Sequence, residues 1–196
     1  MLFAAKRHAT RSLGLALAFV VVSLVARRAL GLGWPHEADG PVLLAVGGGL
    51  LAVILSDALV HGVLLATVGD AYRRTFRAFV EYYRNQSTAA ILAGGLLAGS
   101  EELLFRGVVL LGLVQVASVP VLLAVIVAAV CFGVAHYLHA PRLRPMVLWA
   151  TLEGLLLGGL LVATGSLLVP VIVHALHDVA GFGLFARLRR EDAFGN

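Results

Sequence analysis

Six long apolar stretches occupy most of this chain, at Ser12–Leu32, Pro41–Gly69, Ser87–Gln115, Val119–His139, Met146–Gly165 and Leu167–Ala186. Inside a bilayer there is no water to satisfy backbone N–H and C=O groups, so a crossing segment must satisfy them internally, as a helix does. A transmembrane helix needs ~20 predominantly apolar residues, and several of these stretches are long enough to span with tilt. The expected fold is therefore all-α, a polytopic membrane bundle of about six transmembrane helices in a single membrane domain over residues 1–196. Composition agrees: 60% hydrophobic and 13% charged residues exclude an ordinary soluble domain and a disordered chain alike. One cysteine, Cys131, excludes a disulfide framework and a CxxC metal pair.

The net charge of +4 resides in short basic clusters beside the apolar segments, which mark topology and leave no nucleic-acid patch. With the N-terminus inside, twelve of the fifteen basic residues fall on the cytoplasmic side; Arg27 and Arg28 lie in an outer connection and Arg106 within a segment. Both termini are expected to be cytoplasmic. A basic start and an apolar run from Leu13 to Ala26 resemble a signal peptide, but Arg27 and Arg28 stand where a small-residue cleavage site belongs, so a retained first helix is expected. Between the second and third segments, Tyr72, Phe76, Phe79, Val80 and Tyr83 follow helical spacing, with Arg73, Arg74, Arg77, Glu81 and Arg84 on the remaining surface. That pattern predicts one interfacial helix on anionic lipid of the inner leaflet, with a solvated loop as the alternative. One lysine against fourteen arginines, with abundant Ala, Gly, Leu and Val, suits a GC-rich bacterial source.

Charge inside an apolar stretch demands a reason. Glu101, Glu102 and Arg106 lie within the third segment, and three ionisable groups at helix centres cost on the order of 8–10 kcal/mol before pairing is counted. Glu102 and Arg106 are four apart, so the arginine neutralises that carboxylate. Glu101 lies about 100° further round the helix, free to activate a water as a general base; a structural ion pair with a spare glutamate is the plainer alternative. In the fourth segment, His136 follows Phe132 by one turn, where the aromatic ring packs behind the imidazole. Alone, a histidine at that position reads as interfacial, and His139 beside Pro141 fits that description better. His174 and Asp178 share a face of the sixth segment, so Asp178 can accept from one imidazole nitrogen and aim the other at a reacting carbonyl. His177 is a supporting partner or a bystander. Asp57, His61 and Glu153 are further buried-polar candidates that satisfy helix contacts or line water-filled space. There is no GxSxG, HExxH, Walker A or GxGxxG pattern, and no local base serves Ser100.

Taken in order, Glu101-Glu102-x-x-x-Arg106, Phe132-x-x-x-His136 and His174-x-x-x-Asp178 resemble the three-motif signature of the CPBP intramembrane proteases. That superfamily includes the type II CAAX prenyl proteases and the bacterial Abi and bacteriocin-processing proteins. The resemblance covers about half the chain, the catalytic core helices of residues 87–186, and leaves residues 1–69 as variable N-terminal helices. It implies hydrolysis of a peptide bond in or beside the membrane, probing a membrane-associated protein or peptide substrate and trimming its C-terminal tail. By position, Glu101 would activate water and His136 would help hold it; His174 and Asp178 would stabilise the oxyanion; Glu102, Arg106 and Phe132 would support the site. With the arginine-rich composition as its ground, a bacterial inner-membrane location is expected.

Glu101, His136 and His174 also form a two-histidine, one-carboxylate set suited to zinc; the metal-free, glutamate-type reading is favoured. Processing of C-terminal anchors in the manner of myxosortases, a proton-coupled transporter or channel using the buried charges as a relay, and a catalytically silent immunity or scaffold protein are the alternatives.

Overall fold

The computed structural model describes residues 2–33, 41–84, 86–139 and 144–187, with side chains from residue 8 onward and outside 137–145. The order is α1 (Leu2–Leu30), α2 (Val42–Thr67), α3 (Asp70–Tyr83), α4 (Thr88–Leu104), a π-helical segment (Phe105–Leu110), α5 (Leu111–Gln115), α6 (Val121–His139), α7 (Arg144–Thr164) and α8 (Leu168–Arg187). No strand occurs among the described residues. Four helical stretches are long and apolar enough to cross a membrane: His8–Leu30, Val42–Thr67, Met146–Thr164 and Leu168–Arg187. The run from α4 through α5 and the apolar helix α6 complete the all-α bundle.

Its outer surface is that of a protein solvated by lipid. Leu43 is 86% exposed, Leu122 75% and Leu59 68%, whereas Glu102 and Arg106 are fully buried. In water this distribution would be inverted; in hydrocarbon it leaves little drive for helices to associate except close packing and polar contacts. Close packing is supplied at α4 by Gly95 and Gly99, one turn apart. A Cβ on Gly99 would meet the Val171 carbonyl at 3.1 Å and Ala175 Cβ at 3.2 Å, so α8 lies directly against the α4 backbone. Helix α4 sits between α1 and α8, and α8 also packs on α2 and α7, while α7 pairs with α6.

Local chemistry sets the breaks. The Ser87 hydroxyl accepts from Ala90 N–H at 3.3 Å and caps α4. Gly69, at φ 58° and ψ −122°, turns the chain from α2 into α3 in a conformation that L residues avoid. Helix α3 buries Tyr72 and Val80 and leaves Arg73, Arg74, Arg77 and Glu81 exposed, the amphipathic division expected from its spacing. Its apolar face docks on α8: Tyr83 stacks on Phe182 with centroids 4.0 Å apart, and Phe76 and Phe79 meet Phe185 edge-on.

Two features depart from expectation. The third apolar segment is not a uniform α-helix but widens into a π turn that begins three residues after Glu102, where the Gly107 carbonyl accepts from Arg27. Arg27 itself lies on α1, 3% exposed, and also donates to the Gly33 carbonyl at 2.6 Å. It is therefore a structural clamp between helices and not a residue of an outer connection; burying a guanidinium becomes tolerable because carbonyls receive its protons. Apolar layers flank the polar interior. Val46 and Val53 of α2 pack with Leu157, Val169 and Val173 on one side, and Val60, Leu64 and Tyr72 cluster on the other.

Candidate active site

Between those layers, α4, α6, α7 and α8 bring together the charged groups. Glu102 Oε1 accepts from Arg106 Nη1 at 2.8 Å, the i,i+4 pair expected from spacing, and at the same distance from His174 Nδ1 of α8. Arg106 Nη2 donates to the Gly154 carbonyl of α7 at 2.9 Å, and its guanidinium lies 4.6 Å from the Phe132 ring centroid. Phe132, fully buried, is the hub of this layer: Phe105, His136 and His174 meet its ring at centroid distances of 5.1, 4.6 and 5.6 Å.

These contacts set the ring nitrogens. A carbonyl only accepts, so His136 Nδ1 donates to Phe132 O at 2.9 Å, and neutral His136 keeps its lone pair on Nε2. Glu102 likewise holds the Nδ1 proton of His174 and turns Nε2 toward Glu153, whose Oε1 is 3.9 Å away. Asp178 was the expected acceptor for His174 on the strength of i,i+4 spacing. In the structure Glu102 occupies that role, because α4 approaches α8 closely enough at Gly99 to place a fully buried carboxylate on the imidazole. The ionic partner of Asp178 is His177 Nδ1, at 3.5 Å.

Glu101 is half-buried and has no hydrogen-bond or ion-pair partner among the described residues. It lies within electrostatic reach of His174, Asp178, Glu102 and Glu153. Tyr83, from the interfacial helix, is coupled to the same carboxylates: burial first, then Asp178, Tyr82 and Glu101, hold its hydroxyl well above the usual tyrosine range. That phenol stays protonated and can donate.

Spacing understated a second cluster. His177 Nε2 donates to Asp57 Oδ2 of α2 at 2.6 Å, while its Nδ1 lies 3.2 Å from Glu153 Oε1. Trp149 Nε1 donates to the other oxygen of Asp57. His177 and Asp57 are 120 residues apart, so only helix crossing brings them together; the available signal was that each is a polar residue in an apolar run. His61, expected alongside Asp57, instead hydrogen-bonds the Tyr72 hydroxyl at 2.9 Å among aromatic rings. The side chain of His139 lies outside the described residues.

As a zinc set, Glu101, His136 and His174 have the right donors, and each imidazole has its second nitrogen fixed as metal ligands do. They do not close on one another: among the described residues, the three ligand atoms within 4.8 Å of one another belong to Glu153, His177 and Asp178.

Residues 84–180 match the family model described as type II CAAX prenyl endopeptidase Rce1-like. No curated protein and no solved structure matches the chain.

Proposed function

The chain belongs to the CPBP intramembrane protease superfamily, and from that premise we propose that it is a glutamate-type endopeptidase that trims the C-terminal tail of a membrane-associated protein or peptide. The observation that carries this reading is the division of labour between adjacent carboxylates: Glu102 is held through Oε1 by both Arg106 and His174, whereas Glu101 has no hydrogen-bond or ion-pair partner among the described residues. A carboxylate pinned by two cationic partners organises a site; one without such partners can take a proton.

In the proposed reaction, Glu101 removes one proton from a water whose remaining O–H donates a hydrogen bond to His136 Nε2, and the hydroxide oxygen attacks the scissile carbonyl. The new C–O bond moves the carbonyl electron pair onto oxygen. His174, anchored through Nδ1 and doubly protonated against Glu102, donates from Nε2 to that oxyanion. Collapse breaks the C–N bond as Glu101 returns its proton to the leaving amine. Asp178 borders the same site and donates there only in its protonated form. Water activation is assigned to Glu101 with no metal held by Glu101, His136 and His174. The proposed setting is a bacterial inner membrane, with α3 lying on anionic lipid.

The test compares membrane proteomes of cells expressing wild-type protein and Glu101→Gln. One polypeptide should change its C-terminus with the wild type alone. If the variant processes it at near-wild-type rate, the assignment of Glu101 fails; if flux of an ion changes and no terminus does, the transporter reading replaces the protease.

A further inference from the structure

His177 is ringed by carboxylates in a way that its own protons do not satisfy. Asp57 Oδ2 accepts from Nε2 at 2.6 Å, which fixes the tautomer of the neutral ring and leaves the Nδ1 lone pair on the opposite edge. That lone pair faces Glu153 Oε1 at 3.2 Å and Asp178 Oδ1 at 3.5 Å, and is aligned for a hydrogen bond with neither. Glu153 Oε1 is itself without a hydrogen-bond partner among the described residues, on a side chain nine-tenths buried and aimed at the same point. Three carboxylates thus converge on one imidazole in a low-dielectric interior, and protons on His177 and on His174, whose Nε2 is 3.9 Å from Glu153 Oε1, would offset only two of the three charges. A divalent cation between Nδ1 and the two facing oxygens would satisfy every one of these groups.

We propose that Glu153, His177 and Asp178 bind a divalent transition-metal ion of the zinc class through one imidazole nitrogen and two carboxylate oxygens, with Asp57 as the residue that orients His177. The donor types suit zinc or cobalt(II). Asp57 holding the far ring nitrogen, and itself held by Trp149, is the carboxylate–histidine arrangement that raises the basicity of a metal ligand. Asp178 and His177 retain 21% and 16% side-chain exposure against 10% for Glu153, which leaves an entry route on the side of the first two. The ion would tie α7 to α8, and through Asp57 to α2. It leaves out Glu101 and His136, and an Asp178 that ligates the ion is ionised and only accepts, which leaves the oxyanion to His174.

The experiment uses full-length protein in detergent, stripped with chelator, and cobalt(II) as the probe. One equivalent should produce visible d–d absorption that zinc displaces. His177→Ala and Glu153→Gln should each weaken cobalt binding at least ~100-fold, and Asp57→Asn about 10–100-fold. Glu101→Gln and His136→Ala should bind as wild type does. Should His177→Ala fail to yield a monodisperse protein, Asp178→Ala removes a ligand at the more open edge and should show the same loss. Absence of stoichiometric cobalt in the wild type, binding that survives ligand substitution, or binding lost in Glu101→Gln would each overturn the site. Because absorption is the readout, the result stands whether or not the chain cleaves peptides.

Discussion

At the scale of single residues, the two glutamates should fail differently. Glu101→Gln removes a base and strands nothing, so it should abolish processing while abundance and unfolding temperature stay at wild-type levels. Arg106→Ala leaves Glu102 buried with only His174 against it, and its guanidinium also serves the Gly154 carbonyl. A loss of about 3–5 kcal/mol is expected, visible as lowered membrane abundance and earlier unfolding in detergent. His174→Ala should keep the fold and reduce turnover by about 10²–10³, the cost of one oxyanion donor. Total loss of turnover in a stable His174→Ala protein would argue for a larger role than charge stabilisation.

Among elements, the docking of α3 carries a pH signature. Burial raises the phenols of Tyr72 and Tyr83 above the ordinary value of 10.0, so the folded chain keeps protons that the unfolded chain releases. Stability should be level below about pH 10 and decline above it; unfolding temperatures from pH 7 to 11 measure the slope, and Tyr83→Phe should reduce it. Overpacking the other α8 contact has a different outcome. Gly99→Leu would drive a side chain into Val171 and Ala175 at a cost of roughly 1–3 kcal/mol, read by thermal unfolding, with activity lost as α4 moves off His174. The pair Glu102–Arg106 was legible because i,i+4 geometry is local. The Glu102–His174 bond was not, since it depends on how closely two helices pack, and neither Gly95 nor Gly99 reveals its neighbour from spacing alone. The π turn left no mark either: beyond the charge of Arg106, nothing in Phe105–Leu110 distinguishes it from continuing α-helix.

For the whole molecule, orientation now rests on slightly different residues. With Arg27 buried against the Gly107 carbonyl, the outer side holds Arg28 alone against twelve basic residues on the other, which strengthens the expectation that both termini are cytoplasmic. Reporter fusions at each end should agree; opposite locations would remove one crossing. The distant contacts also bear on how the chain enters the membrane. Glu102 reaches the bilayer with Arg106 already in register on its own helix, so α4 can partition with its charge neutralised. Asp57 cannot. Its partners Trp149 and His177 lie 92 and 120 residues downstream, and during synthesis α2 must wait with an uncompensated carboxylate until α7 and α8 emerge. The second helix is thus expected to linger at the translocon, or at an insertion chaperone, until the last two arrive, which makes biogenesis of this bundle a concerted event and not a sequence of independent insertions.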